Sequence, residues 1–331
     1  MVDLIACQTV RALNSYLAYS ISTEAMDKYD AVVLTDPVYI DPVKLNQYIR
    51  NVLEEDRLVM ESLQRKGFIT TRVSWDDPDF DWSSTRFVIF RTTWDYFERY
   101  AEFSVWLDSA SKLTSMINPY NTIRWNIDKH YLGDLQQLGI NIPPTLFIET
   151  GDQRSLREIV DGSGWSDFIL KPAIAGGAWH TYKLTEGTVE EHEAVFKGLI
   201  KGESMLLQEF QHKVFTDGEI AFMVFGGKYS HAILKKAKEG DFRVQDDFGG
   251  SVHDYSASPE EIEFAEKVVS SCKPVPVYAR VDVIMDNKNE FCVSELELIE
   301  PELWFRKYPM AAELFAEAFI EFISQVKAPD R

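Results

Sequence analysis

The sequence lacks the features that mark secreted and membrane proteins. It has three cysteines in 331 residues and no CxxC pair, which argues against a disulfide framework and favours a reducing compartment. No apolar run approaches the roughly 20 residues that a membrane-spanning helix needs. The first thirty residues lack a basic start followed by an unbroken apolar core, so we expect no signal peptide and a cytoplasmic location.

Cationic residues are scarce. Lys and Arg number 34 against 53 Asp and Glu, which gives a formal net charge of −19. This charge opposes non-specific binding to nucleic acid or anionic membranes, because both depend on cationic patches. We therefore expect neither as a partner. The net charge does not exclude an anionic ligand, since a local cluster of Lys and Arg can reverse the electrostatic field inside one cleft.

Internal repeats and low-complexity tracts are also lacking, and the apolar content of 45% is that of a globular protein with two or three domains. After an N-terminal arm (1–28), alternating strands and helices over 29–126 predict an open parallel α/β domain. Residues 127–207 predict a small α+β lid, and residues 208–331 a largely antiparallel domain with a long loop before residue 257. Strands are predicted at 29–35, 69–75, 86–92, 145–149, 204–210, 218–226 and 228–236, and helices at 42–66, 97–112, 128–138, 189–200, 259–272 and 308–326.

Residues 276–301 are the most informative segment, because two short apolar runs flank a turn and predict a β-hairpin. Side chains alternate between the two faces of a strand, so Asp282 on one strand and Glu295 and Glu297 on the other are predicted to converge. Carboxylates that close repel one another unless cations lie between them, and hard oxygen ligands suit Mg²⁺ or Mn²⁺. The alternative is an ordinary hairpin with its acidic residues in solvent.

Two lysines are candidates for binding a phosphate group. Lys171 ends a predicted strand before a loop with Gly176 and Gly177, where small residues let backbone N–H groups approach phosphate oxygens. Gly-Gly is also common in hairpins. Lys129 is expected in the first turn of a helix, where the helix dipole disfavours a cation. An anionic partner would explain it, and a solvated lysine is the alternative.

A cationic segment lies near the acidic hairpin in the chain. It contains Lys235 and Arg243, and this combination suits phosphoryl transfer: carboxylates hold metal, and cations neutralise the transferred charge. The segment after strand 86–92 lies at the carboxyl edge of the predicted parallel sheet, where ligands bind. There Asp95 is a candidate partner for a substrate amine and Arg91 or Thr92 for an anion; the alternative is a helix start capped by Thr92 or Thr93.

Taken in order, these pieces resemble the ATP-grasp superfamily over residues 29–326. The order is Lys129, Lys171, the glycine loop, Gln208-Glu209-Phe210, Asp217-Gly218-Glu219, Lys235, Arg243, and Asp282 with Glu295 and Glu297. Within the glutathione-synthetase-like branch, the chain is similar to the group that contains O-ureido-serine cyclo-ligase. That similarity is carried by the fragments SWDDPDFDW, FRTTWDY, NPYNTIRWNIDKHYL, SHAILKK, GDFRVQ, YARVDVI and ELELIEP.

The resemblance implies an ATP-grasp fold, with ATP held between the lid and the C-terminal domain. It also implies a role for each matching residue. Adenine would contact Gln208, Glu209 and Phe210, the ribose Glu219, and the phosphates Lys129, Lys171 and the loop with Gly176 and Gly177. Two Mg²⁺ ions would bind Asp282, Glu295 and Glu297, the γ-phosphate and acyl phosphate would face Lys235 and Arg243, and the substrate would contact Arg280 or Gln245.

The implied activity is an ATP-dependent carboxylate–amine ligase that forms an amide through an acyl phosphate on a small amino-acid-like substrate, between two molecules or by ring closure. A ligase for a peptide or protein tail and a non-catalytic ATP-binding module are the alternatives, and a homodimer is left open. The chain departs from the family pattern in its glycine loop, which has only two glycines and is followed by Trp179, and in the arm that precedes the first strand.

Overall fold

The structure is a computed structural model that describes residues 28–238, 241, 243–244 and 249–325. The predicted arm, apart from Lys28, and the substrate candidate Gln245 lie outside these residues. Within the described ranges, no helix is both long enough and apolar enough to cross a membrane.

The first unit is a parallel sheet flanked by helices, with strand order β2-β1-β3-β4. Its helices bury both faces of the sheet, which explains the nearly continuous apolar runs of the strands. This confirms the predicted open α/β fold, although β4 is too short to show a pattern in the sequence. The elements are β1 (Tyr29–Thr35), α1 (Gln47–Arg65), β2 (Thr70–Ser74), β3 (Thr85–Thr92), α2 (Tyr100–Ala110), β4 (Ser115–Ile117) and α3 (Tyr120–Asn126).

The second unit is an antiparallel sheet with strand order β5-β8-β6-β7. Helix α5 begins with a reciprocal capping box between Ser155 and Glu158, which satisfies two backbone donors at the helix start. The elements are α4 (Tyr131–Gln137), β5 (Thr145–Ile148), α5 (Leu156–Ser163), β6 (Asp167–Pro172), β7 (Tyr182–Thr185), α6 (Val189–Leu199) and β8 (Met205–Glu209).

The position expected for Lys129 was wrong. Helix α4 begins at Tyr131, so Lys129 lies in the turn between α3 and α4 and not in a helical turn. The Asp128 carboxylate accepts a hydrogen bond from the His130 backbone N–H at 2.9 Å, and such local bonds compete with helix formation.

The third unit is a five-stranded antiparallel sheet with strand order β11-β10-β9-β12-β13. The long loop expected before residue 257 was wrong in part, because β11 pairs with β10 at the sheet edge. This edge strand is short and mostly polar, so it gives no apolar alternation to detect. The elements are β9 (Glu219–Phe225), β10 (Lys228–Lys236), β11 (Ser251–Tyr255), α7 (Pro259–Ser271), β12 (Tyr278–Met285), β13 (Phe291–Glu297) and α8 (Ala311–Gln325).

Two buried asparagines join the hairpin β12–β13 to the parallel sheet. The Asn118 amide donates to the backbone oxygens of Tyr278 at 2.9 Å and Leu298 at 2.7 Å. Asn126 donates to the Leu296 oxygen and accepts from the Leu298 N–H, both at 2.8 Å. The two side-chain amides bind backbone groups of the hairpin as a neighbouring strand would. They therefore hold the hairpin against the first unit.

His231 on β10 makes folding stability dependent on pH. Its buried ring contacts the Leu303 backbone oxygen and the Ser230 hydroxyl, both at 3.0 Å, and burial lowers the pKa of His231 to about 4. Protonation therefore favours the unfolded chain as pH falls from 6.5 towards 4. At pH 5 the loss is about 2 kcal/mol of unfolding free energy for this group alone.

Denaturant unfolding at pH 7.5 and pH 5 tests this expectation. The His231→Gln variant is expected to show a smaller difference in unfolding free energy between the two pH values than the wild type. His253→Gln, on the exposed face of β11, is the matched control and should leave the difference as in the wild type. An identical loss of stability in His231→Gln and the wild type would assign the acid sensitivity to other groups.

Candidate active site

The hairpin brings its three carboxylates together as predicted. Asp282 lies opposite Glu295 across the β12–β13 pair, and Arg280 lies opposite Glu297. One carboxylate oxygen from each of Asp282, Glu295 and Glu297 lies within 4.8 Å of the other two. The other face of β12 packs Val281 into the core, so strand alternation alone directs these acids to one side.

Cations of the chain hold this acidic cluster. Arg280 bridges Asp282, at 2.8 Å, and Glu297. Lys235 contacts Asp282 at 3.2 Å and Glu219 at 2.6 Å. Burial raises the pKa of Asp282, but Arg280 and Lys235 outweigh it and hold the pKa below its ordinary value. Burial and the neighbouring carboxylates raise the pKa of Glu297 to about 7, in spite of Arg280.

The donor set fits a hard divalent cation. All three groups are carboxylates, the ligand type that Mg²⁺ and Mn²⁺ prefer, and their spacing leaves one ion within reach of all three. Zinc sites in proteins use mainly sulfur and nitrogen ligands, and neither is present in this cluster.

A cavity of about 350 Å³ opens above the cluster. Its walls come from all three units of the fold, so it exists only when these are packed together. The sequence-predicted residues that line it are Lys129, Lys171, Gly176, Gly177, Gln208, Glu209, Phe210, Glu219, Arg243, Arg280, Asp282, Glu295 and Glu297.

The two lysines differ in their contacts. Lys129 contacts Glu295 at 3.3 Å and donates to the Ala175 backbone oxygen. The ammonium group of Lys171 makes no hydrogen bond or ion pair with the residues that the structure describes. Burial lowers the pKa of Lys171 to about 8, and the charge of Glu295 offsets this effect only in part. An anion bound in the cavity would supply that missing charge.

The glycine loop covers this part of the cavity, and the local geometry explains why glycine occupies positions 176 and 177. A Cβ on Gly176 would lie 2.8 Å from the Phe97 ring, so only glycine fits there without movement. Gly177 has a φ of 54°, in the left-handed region that glycine tolerates. Trp179, the departure noted in the sequence, packs on Phe97 with ring centres 6.0 Å apart.

Gln208 and Glu209 end β8, Phe210 follows, and all three line the cavity. Glu219 was expected to reach a ribose, but its carboxylate is already held by Lys235 and accepts a hydrogen bond from the Ser294 hydroxyl at 2.8 Å. Arg243 lines the cavity and pairs with Asp241 at 2.7 Å.

Four candidates do not line the cavity, which corrects their expected positions. Lys235 is buried between Glu219 and Asp282, because β10 places it directly opposite Glu219 on β9. Arg91 is buried and donates to the Pro301 backbone oxygen at 3.0 Å, and the Thr92 hydroxyl bonds that of Thr35 at 2.6 Å.

Asp95 accepts from the Trp75 indole and pairs with Arg99, each at 2.8 Å, so its charge is used within the protein. The capped helix start considered for Thr92 and Thr93 was also wrong: Thr92 ends β3, and α2 begins at Tyr100 without a side-chain cap.

The structure adds cavity residues that the sequence did not indicate. Aromatic side chains of the first unit, Tyr48, Trp94 and Phe97, form one wall, and Glu300 and Glu302 lie with them. The fragments FRTTWDY and ELELIEP contain two of these five residues, Trp94 and Glu300, but no spacing rule marked them. Only the packing of distant segments brings the five residues together.

Comparisons with known proteins identify the family of the chain. Residues 26–118 match the family model of the N-terminal domain of D-cycloserine synthetase DcsG, and residues 136–302, half of the chain, match the RimK-like ATP-grasp domain. The cycloserine biosynthesis protein DcsG of Streptomyces lavendulae is 28% identical over 281 residues, which are 80% of this chain and 92% of that protein.

Solved structures give the same result. The crystal structure of D-cycloserine synthetase DcsG superimposes with a TM-score of 0.76 at 25% identity, covering 88% of this chain and 99% of that one. D-alanyl-alanine synthetase A of Vibrio cholerae shares the fold, with a TM-score of 0.62 at 16% identity over 91% of this chain and 98% of that one. The chain therefore belongs to the RimK-like ATP-grasp family of ligases.

Proposed function

We propose that this ligase activates the carboxylate of a small amino-acid-like substrate as an acyl phosphate and forms an amide with a nitrogen nucleophile. The observation that carries this proposal is the convergence of Asp282, Glu295 and Glu297 beneath a cavity that also contains the unpaired ammonium of Lys171. Such a cavity combines ligands for a divalent cation with a free positive charge for phosphate.

The chemistry overcomes the poor reactivity of a carboxylate. An oxygen of the substrate carboxylate attacks the γ-phosphorus of ATP. The bond between that phosphorus and the oxygen that bridges it to the β-phosphate breaks, and ADP leaves. A nitrogen lone pair then attacks the carbonyl carbon, phosphate leaves, and the nitrogen loses a proton. The covered cavity limits hydrolysis of the intermediate by water.

Each charged side chain has a place in this scheme. Two divalent ions, which we assign to Asp282, Glu295 and Glu297, would neutralise phosphate charge when bound. Lys129 and Lys171 bind the α- and β-phosphates, and Arg280 and Arg243 face the γ-phosphate and the acyl phosphate. We assign Lys235 to positioning, because it fixes Asp282 and Glu219 from below. Adenine binds where β8 ends, against the backbone of Gln208, Glu209 and Phe210.

A small substrate is favoured by the first unit. This part of the chain resembles the N-terminal domain of a cycloserine synthetase, and it contributes the aromatic wall of Tyr48, Trp94 and Phe97. Because the product of that relative is a ring, we propose ring closure within one molecule as the narrower activity. The substrate would then contain both the carboxylate and the attacking nitrogen.

Removal of one metal-binding charge tests the metal assignment. Glu295→Gln keeps the shape of the side chain but removes a negative ligand, and should lower ADP release with Mg²⁺ about 100-fold or more. Glu290→Gln, exposed in the turn of the same hairpin, is the matched control and should retain activity. Undiminished ADP production by a folded Glu295→Gln variant would contradict the assignment.

Lys171→Ala tests the phosphate site. The loss of one charge-assisted hydrogen bond is expected to weaken ATP binding by about 1.5–3 kcal/mol, measured by calorimetry. Lys201→Ala, an exposed lysine after α6, controls for the change in net charge. If Lys171→Ala binds ATP as tightly as the control, Lys171 is not part of the site.

Product mass distinguishes ring closure from ligation of two molecules. Amino acids that contain an internal nitrogen nucleophile are incubated with ATP and Mg²⁺, without an added amine, and products are analysed by mass spectrometry. Ring closure gives a product lighter than the substrate by one water. ADP release that requires a second amine, or that occurs only with a peptide, would reject ring closure and favour the corresponding alternative.

A further inference from the structure

One wall of the cavity is not used by the phosphoryl-transfer chemistry. It combines the aromatic side chains of Tyr48, Trp94 and Phe97 with the carboxylate of Glu300. The Trp94 indole N–H donates to the Glu300 backbone oxygen at 2.9 Å, which fixes the indole beside this residue. The rings of Tyr48 and Trp94 are 6.2 Å apart.

Glu300 differs from the neighbouring acids of the cavity in having no cation. Glu295 contacts Lys129, Glu297 contacts Arg280, and Glu302 contacts Arg306. Among the residues that the structure describes, none forms an ion pair with Glu300. Burial, and next the charge of Glu297, raise the pKa of Glu300 to about 8.

A half-buried carboxylate without a partner is costly, and the cost is removed when a cation binds beside it. Aromatic faces attract ammonium groups in the same way, and desolvation strengthens that attraction. The wall therefore has the two kinds of group that recognise a protonated amine. Since Arg306 already neutralises Glu302, Glu300 is the acid of this wall that is left to pair with such a ligand, and a bound ammonium group would favour its ionised form.

We propose that Glu300, together with the aromatic wall of Tyr48, Trp94 and Phe97, binds a protonated amino group of the substrate and selects amino acids over acids that lack this group. The inference rests on the proposed function and refines its substrate class. The bound ammonium is distinct from the attacking nitrogen, which must be neutral to have a free lone pair. Glu300 is thus a specificity residue.

Position within the cavity supports an amino group close to the reacting carboxylate. Glu295, Glu297 and Glu300 line one recess of about 20 Å³ that adjoins the main cavity. The proposed metal ligands and the proposed amine site therefore share a wall. A substrate with its amino group next to its carboxylate, as in an α-amino acid, can reach both groups at once.

The test compares α-amino acids with their deamino counterparts, in the wild type and in Glu300→Gln. Binding is measured by calorimetry with Mg²⁺ and a non-hydrolysable ATP analogue, and turnover by ADP release. The wild type is expected to prefer the amino acid about 10- to 100-fold, the range of one charge-assisted contact. Glu300→Gln should bring this ratio towards one, mainly because the KM for the amino acid rises.

Two further variants sharpen the comparison. Glu302→Gln removes an acid of the same wall that Arg306 neutralises, and should keep the preference ratio of the wild type. Trp94→Phe retains an aromatic face but loses the hydrogen bond to the Glu300 backbone, and should reduce the ratio less than Glu300→Gln does. An equal effect of Glu300→Gln and Glu302→Gln would reject a specific role for Glu300.

Other outcomes overturn the inference without affecting the proposed function. If the wild type releases ADP equally well with amino acids and deamino acids, the amine site is wrong and the ligase assignment stands. If Glu300→Gln raises the Mg²⁺ concentration needed for half-maximal activity and leaves the ratio unchanged, Glu300 is a metal ligand. If amino acids bind in a Glu300-dependent manner but ADP release is absent with all substrates, the proposed reaction fails and the amine site stands.

Discussion

Asp282, Glu295 and Glu297 form a cluster of like charges that would separate if the fold did not restrain it. The restraint is electrostatic and mechanical at once. Arg280 and Lys235 neutralise the cluster from its own sheet, and the asparagines at 118 and 126 fix the hairpin to the parallel sheet by hydrogen bonds to its backbone. The acids are thereby held at a spacing that suits a divalent cation, before any ligand contributes energy.

The distribution of charge explains how an acidic chain accommodates a triphosphate. The chain has a net charge of −19, and yet four cationic side chains line one cavity: Lys129, Lys171, Arg243 and Arg280. All but Lys171 pair with carboxylates of the protein. On the proposed assignment, binding of ATP and metal would exchange partners within an existing network, which needs less reorganisation than assembling new charges.

Much of the fold could be predicted from the sequence, because its elements have clear periods. The alternation on β12 and β13 directed the three acids to one face, and the alternation of strands and helices over 29–126 indicated a parallel sheet. Other features depend on packing that has no local signal. Lys235 was expected at the γ-phosphate, but strand register places it opposite Glu219, and register cannot be read from one strand alone. Edge strand β11 is too polar to show a pattern.

The candidate site shows the same division. The three clustered acids and the two lysines that line the cavity belong to motifs with a chemical meaning, so the sequence indicated them as candidates. Trp94 and Glu300 are more than 200 residues apart, and only the docking of the first unit on the third makes them neighbours. Arg91, Thr92 and Asp95 were placed correctly at a sheet edge, but their side chains bond within the protein, and sequence position does not specify where a side chain points.

Phe97 belongs to two surfaces at once: it lines the aromatic wall, and its ring limits how closely the glycine loop can approach at Gly176. A molecule that displaces this ring changes the space over the phosphates. By thermodynamic reciprocity, nucleotide and second substrate must then alter each other's affinity by the same factor. The Phe97 ring is thus a contact through which a ligand at the aromatic wall and a ligand beneath the glycine loop would affect each other's binding.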